Sequence, residues 1–111
     1  MKRYLPFGVM LLFVMGASLA KAQGGDAKAG KPVYDKQCAT CHSADGTPKE
    51  AVAKMLKVEI PHLGSKDVQA KSDADIKTVI TEGYQKMKPV KGLADKDVAN
   101  VIAYVRTLKK P

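Results

Sequence analysis

The sequence predicts an all-α domain of about four helices, on three observations. Four segments between Asp26 and Lys109 place apolar residues at helical spacing. No stretch alternates apolar and polar residues over the length of a strand. The segments are separated by loops carrying glycine, proline and lysine, with no internal repeat and no low-complexity block.

The first segment runs from Asp26, a suitable N-cap, to Gln37. Pro32 lies beyond its first turn, so the helix kinks there or begins later. The second, "TPKEAVAKML", opens with Thr47 as cap, Pro48 in the first helical position and Glu50 completing a Thr-x-x-Glu capping box. Its apolar face is Ala51, Val52, Met55 and Leu56. The third, "SDADIKTVITEG", starts at Ser72, buries Ile76, Val79 and Ile80, and stops at Gly83. The fourth, Asp95 to Lys109, presents Val98, Val101, Ile102, Val105 and Leu108 on one face. Asp95 and Asp97 suit the positive end of its dipole, and Arg106, Lys109 and Lys110 the negative end. The loop "KVEIPHLGSKDVQAK" has room for one further helical turn.

Ahead of these lies a leader. Lys2 and Arg3 precede an apolar run from Leu5 to Ala20, and "AKA" follows at Ala20 to Ala22. That order reads as a secretory signal peptide spanning residues 1–22, cut after Ala22 or, through "SLA", after Ala20. The run is 16 residues, short of the ~20 that a membrane-spanning helix needs. The rest, residues 23–111, is one small domain. Losing the leader's three basic residues lowers the net charge from +8 to +5. Both phenylalanines go with it, leaving Tyr34, Tyr84 and Tyr104 as the aromatic residues of a chain without tryptophan. So small a domain with so few large side chains needs a staple or cofactor to complete its core.

The stretch "QCATCHSADG" supplies one. Cys38, Cys41 and His42 form Cys-x-x-Cys-His, the attachment signature of a c-type haem. One helical turn presents the two thiols to the two porphyrin vinyl groups, and the next residue turns its imidazole toward the iron. Competing readings fit less well. A thioredoxin-like pair expects a βαβ setting. A Cys38–Cys41 disulfide closes too small a loop to stabilise much. A zinc site using His42 and His62 has the wrong spacing. In an oxidising compartment free thiols also tend to be consumed. The expected cofactor is therefore one haem c, held through two thioethers, with its iron.

The sixth position of the iron has three candidates. Met55 lies on the apolar face of the second segment, where core filling explains it. His62 sits in a loop beside Pro61. Met87 sits in a loop between two lysines, flanked by Gly83 and Pro89, with no periodic pattern to make it core. Met87 is the favoured ligand.

These residues carry a family resemblance. Gly30 and Tyr34 ahead of "CATCH", "PHL" at Pro61 to Leu63, "ITEGY" followed by Met87, and "AYVRTL" near the end together resemble the class I cytochromes c, small exported single-haem electron carriers. The resemblance covers nearly all of residues 23–111. It implies a class I cytochrome c fold wrapped around the haem. It implies that Gly30 lets the first helix cross the last closely, near Tyr104. It implies that the Pro61 carbonyl accepts a hydrogen bond from the far nitrogen of His42, fixing the ring. It also implies His42 and Met87 as the two axial ligands. The chain departs from the family at two places: Lys88 stands between Met87 and Pro89, and Ala94 replaces a serine cap on the last helix.

His/Met ligation fills the iron's positions, so the expected function is periplasmic one-electron transfer rather than catalysis. Lys86, Lys88 and Lys91 around the ligand loop suit redox partners with acidic docking surfaces. Basic residues interspersed with acids, and no aromatic platform, exclude a nucleic-acid partner. The expected state is a monomer with no stable membrane insertion after signal cleavage. Two alternatives stand beside this: a five-coordinate haem c protein binding small gases or peroxide, and a cytochrome subunit of a larger oxidoreductase.

Overall fold

The structure is a computed structural model that describes residues 24–110. The leader expected at residues 1–22 lies outside the described residues. Six helices follow in order: α1 (Ala27–Gln37), α2 (Ala39–His42), α3 (Glu50–Leu56), α4 (Lys66–Gln69), α5 (Asp73–Glu82) and α6 (Asp95–Thr107). The four expected helices are α1, α3, α5 and α6. The remaining two are single turns, α2 carrying the cysteines and α4 filling the loop that had room for one. Among the described residues there is no strand, only an isolated antiparallel bridge between Tyr84 and Met87.

Helix ends follow local chemistry where a side chain is free to act. Asp26 accepts from the Lys28 N–H at 2.9 Å and starts α1, which runs through Pro32. Pro32 and Lys28 both lie on the exposed side, where water can serve the carbonyl that the missing N–H leaves free. Ser72 caps α5 by accepting from the Asp75 N–H at 3.1 Å. Ala94 has no acceptor to offer α6, but Asp97 reaches back to the Ala94 N–H at 3.2 Å, supplying half of a capping box. α6 ends at Thr107, two residues before Lys109.

Two expectations for α3 fail. The helix begins at Glu50, with Lys49 as a cap that makes no side-chain bond, so no capping box forms at Thr47. Thr47 is engaged elsewhere: its N–H donates to Asp45 Oδ1 at 3.0 Å, and its hydroxyl lies 3.3 Å from His62 Nε2. The Lys49 N–H donates to the Cys41 carbonyl at 3.1 Å, which holds this stretch against the cysteine turn. Met55 is 73% exposed rather than packed in the chain's own core, and α3 half-buries only Val52, Ala53 and Leu56.

The core is aliphatic around one tyrosine: Tyr34, Ile76, Ile80, Val98, Val101, Ile102 and Val105. Its centre is the crossing of α1 and α6, where a Cβ on Gly30 would collide with the Asn100 carbonyl. The closest approach is at Asn100 and Val101, one turn before Tyr104. Asn100, 6% exposed, also uses its side chain here, Oδ1 accepting from the Asp26 N–H at 2.8 Å. One turn along, the rings of Tyr34 and Tyr104 meet with centroids 4.8 Å apart, tilted by 55°.

The far end of α6 pins the loops. Arg106 donates to the carbonyls of Gln69 at 2.9 Å and Lys71 at 2.7 Å, and pairs with Asp73 at 2.7 Å. Gln69 Nε2 donates to the carbonyls of Leu63 at 2.8 Å and Val105 at 3.0 Å. No helix among the described residues is long and apolar enough to cross a membrane.

Since the obstacle at Gly30 is backbone, which cannot swing aside, Gly30→Ala should destabilise the protein by about 3 kcal/mol. Denaturant unfolding of the haem-loaded form measures it, and an unchanged midpoint would show that the helices do not meet there.

Candidate functional site

α1 runs almost directly into the cysteine turn. The Cys38 N–H donates to the Tyr34 carbonyl at 2.8 Å, closing α1, and Cys38 then serves as the N-cap of α2. The Cys41 N–H and His42 N–H both return to the Cys38 carbonyl, at 3.2 and 3.0 Å. Cys38, Cys41 and His42 thus share one helical turn, as the spacing predicts. Both cysteines are half-buried and form no disulfide, and Cys38 packs against the edge of the core. Burial, and then the neighbouring Cys41, pushes the Cys38 thiol up to about 11.

His42 is half-buried, and burial lowers its pKa, so its ring is neutral at pH 7. Its Nδ1 is enclosed and makes no hydrogen bond. The bond to the Pro61 carbonyl that the family resemblance implies is therefore not formed in this structure. A neutral imidazole that no protein group engages, one residue beyond two thiols on the same turn, fits a covalently attached haem with His42 toward the iron. It fits a disulfide or a zinc site poorly. Among the described residues no group of three or more His, Cys, Asp or Glu is arranged to hold a metal ion.

Met87 is on a separate loop, and that loop is tightly made. The Tyr84 N–H donates to the Met87 carbonyl at 3.0 Å, and the Met87 N–H returns to the Tyr84 carbonyl at 2.8 Å. Gln85 takes up the turn with φ +51°. Gly83 is required before it: φ is +83°, and a Cβ would stand 2.7 Å from the Met87 carbonyl oxygen and 2.9 Å from Pro89 Cδ. The Val90 N–H then bonds the Ile80 carbonyl at 2.8 Å, returning the loop to α5. Lys88 is accommodated between Met87 and Pro89 without opening this turn. Met87 itself is half-buried.

The Pro61 loop is tied to the stretch after the cysteine turn. The Leu63 N–H donates to the Gly46 carbonyl at 3.0 Å. His62 has both ring nitrogens engaged: Nδ1 accepts from the Gly64 N–H at 2.9 Å, so the proton sits on Nε2, facing the Thr47 hydroxyl. His62 is thereby a loop fastener.

Two residues that sequence reasoning placed only as family matches prove to touch this site. Tyr34 donates to the Ser43 carbonyl, with the His42 carbonyl 3.3 Å away, and Tyr104 donates to the Ala44 carbonyl at 2.9 Å. No local pattern announces these contacts, since Tyr104 lies 60 residues from its partner.

Comparison with known proteins gives consistent results. The family model described as "Cytochrome C oxidase, cbb3-type, subunit III" matches residues 25–105. Cytochrome c-554(547) of Halothiobacillus neapolitanus is 34% identical, the match covering 77% of this chain and 99% of that protein. Cytochrome c6 of Picosynechococcus sp. is 32% identical over 95% of this chain and 92% of its own length. Among solved structures, the KustC0563 c-type cytochrome superposes with a TM-score of 0.63 at 32% identity, covering 73% of this chain and 98% of that one.

Asp45 sets the turn that leads from the haem motif toward His62. The Thr47 backbone N–H, then its hydroxyl, hold the Asp45 carboxyl below its ordinary value. A depressed carboxylate contributes stability above its unfolded value and loses it as pH falls through the folded one. The stability difference between wild type and Asp45→Asn should therefore shrink as pH drops below about 4. Parallel stability curves for the two proteins across that range would show that the charge plays no part in the turn.

Proposed function

This chain belongs to the class I cytochromes c, with one covalently bound haem c, and on that premise we propose that it is an exported one-electron carrier whose iron is held by His42 and Met87. Electron transfer by a c-type cytochrome is the function of the family. The haem supplies the one-electron change at its iron, and the chain's residues hold it in place. Cys38 and Cys41 would tether it, His42 would present its uncharged ring on one side, and Met87 would close the other. Pro61 is the expected acceptor for His42 Nδ1–H in the loaded protein. With His42 and Met87 both holding the iron, no position would be left for a substrate, which suits a carrier rather than an enzyme. A thioether sulfur also favours the ferrous state.

The observation that carries this reading is the two-bond turn Tyr84–Met87, locked by Gly83 and Pro89. A methionine placed so firmly in a loop, outside the core, suits a fixed ligand better than packing. Residues 1–22 would be the export signal, and residues 23–111 the periplasmic domain.

Charge around this loop supports docking to acidic redox partners. Lys86, Lys88 and Lys91 are exposed, and none forms an ion pair among the described residues. Tyr84 stands among them, 62% exposed, offering an aromatic centre to a basic rim.

A second reading, a haem subunit of a larger oxidase, is favoured by the description of the matching family model. The relatives matched over 99% and 92% of their own lengths favour a free carrier of about this size. The native size of the protein in a periplasmic extract separates the two.

The ferric protein should show the methionine-to-iron charge-transfer absorption at neutral pH, and Met87→Ala should abolish it. Added carbon monoxide should leave the reduced wild-type spectrum unchanged. A band that survives in Met87→Ala would remove Met87 as ligand, and a carbon monoxide shift in the wild type would favour a five-coordinate iron. Reversing Lys86, Lys88 and Lys91 to glutamate should slow electron transfer to an acidic partner by about tenfold at low ionic strength, with the gap closing as salt rises. Equal rates at low salt would place docking elsewhere.

A further inference from the structure

The haem-binding turn is short, and its exit is held by two tyrosines. α2 has four residues, too few to be stable by itself. At Ser43 the chain leaves the helical path abruptly, with φ +56° and ψ 168°. The carbonyls at such an end need donors from outside the helix. Tyr34, from α1, donates to the Ser43 carbonyl and lies 3.3 Å from that of His42. Tyr104, from α6, donates to the Ala44 carbonyl at 2.9 Å. Three successive carbonyls, beginning with that of His42 itself, are thus met by phenols from two helices.

These donors are rigidly based. Tyr34 has no exposed surface and belongs to the core. Its ring packs on that of Tyr104, and both stand one turn from the Gly30–Asn100 crossing. Burial also holds the Tyr34 phenol well above its ordinary pKa, so it remains a donor throughout the working pH range. His42 Nδ1, by contrast, has no partner. In this structure the restraint on His42 acts on its backbone, and it is separate from the bond to Pro61 proposed for its ring in the loaded protein.

We propose that Tyr34 and Tyr104 are positioning residues for the haem, fixing the main chain at His42 to Ala44 from which the imidazole would reach the iron, while Pro61 would hold the ring itself. The pair transmits the α1–α6 crossing to the metal centre. Neither tyrosine touches the iron; each acts through the main chain. Groups that orient a metal's ligand tune the metal, so loosening the backbone at His42 should change the haem's spectrum as well as the protein's stability. The proposal rests on His42 as an axial ligand.

The test compares Tyr34→Phe and Tyr104→Phe with Ile102→Val in the haem-loaded protein. Ile102 is buried in the same helix but borders the crevice with Gly24, Gly25 and Asp73. Each phenylalanine variant keeps its ring packing and loses only the hydroxyl. Proton NMR of the ferric form reads the hyperfine-shifted haem methyl and His42 ring resonances, voltammetry reads the potential, and thermal unfolding reads stability. Both phenylalanine variants should shift the haem methyl pattern and the potential, Tyr34→Phe more than Tyr104→Phe. Ile102→Val should lower the unfolding midpoint and leave pattern and potential at their wild-type values.

The proposal is overturned if the phenylalanine variants lose stability with wild-type resonances and potential, or if Ile102→Val moves them equally. Should Tyr34→Phe fail to accumulate as holoprotein, Tyr104→Phe decides the question by the same readings. Unshifted His42 ring resonances in the ordinary aromatic region of the ferric wild type would instead remove the ligand assignment, and this proposal with it.

Discussion

The close crossing of α1 and α6 is the constraint on which the rest of this domain depends. It is a contact of backbone against backbone, possible because Gly30 has no side chain to hold the Asn100 carbonyl away. Asn100 then serves twice, its main chain receiving α1 and its side chain accepting from the N-cap residue Asp26. The valines and isoleucines of α6 gain their burial from this proximity. So does Tyr34, whose chain continues within four residues into the turn that carries Cys38.

The same helix governs the other side of the site from its far end. Arg106 and Gln69 hold the segment from Leu63 to Asp73 against α6 through main-chain carbonyls. Gly64 lies so close to Leu108 that a side chain there would collide with the Leu108 carbonyl, and the Gly64 carbonyl accepts from the Lys110 N–H at 2.9 Å. One helix therefore positions both the haem-binding turn, through Tyr104 and Tyr34, and the Pro61 loop. The economy suits a small domain. Its own core is a handful of aliphatic residues, and α3 adds nothing buried, so a large apolar cofactor supplies what the chain lacks.

Legibility in the sequence tracked the distance over which each interaction acts. Asp26 and Ser72 cap as expected because their acceptor and donor lie two and three residues apart, with no rival in reach. Thr47 looked equally suited, yet Asp45 and His62 engaged it, and His62 is 15 residues away in the chain. Met55 followed a sound helical pattern, but a pattern says only which residues share a face, not whether anything covers it. The hold on Met87 was readable from Gly83 and Pro89, since that turn is closed within seven residues. The tyrosine contacts were not, because they join α1 and α6 to a loop that only the fold brings near them.

By itself, the sequence determined the chemistry of attachment: two thiols and an imidazole compressed into five residues, whose spacing one helical turn converts into geometry wherever that turn sits. It also determined the helical class and the local turn around Met87, because those rest on neighbours along the chain. The tertiary structure alone decided which carbonyls receive Tyr34 and Tyr104, that Met55 lies outside the chain's own core, and that α6 anchors the site from both ends. Those are contacts between residues far apart in the chain, and their partners become defined only once Gly30 and Asn100 have met.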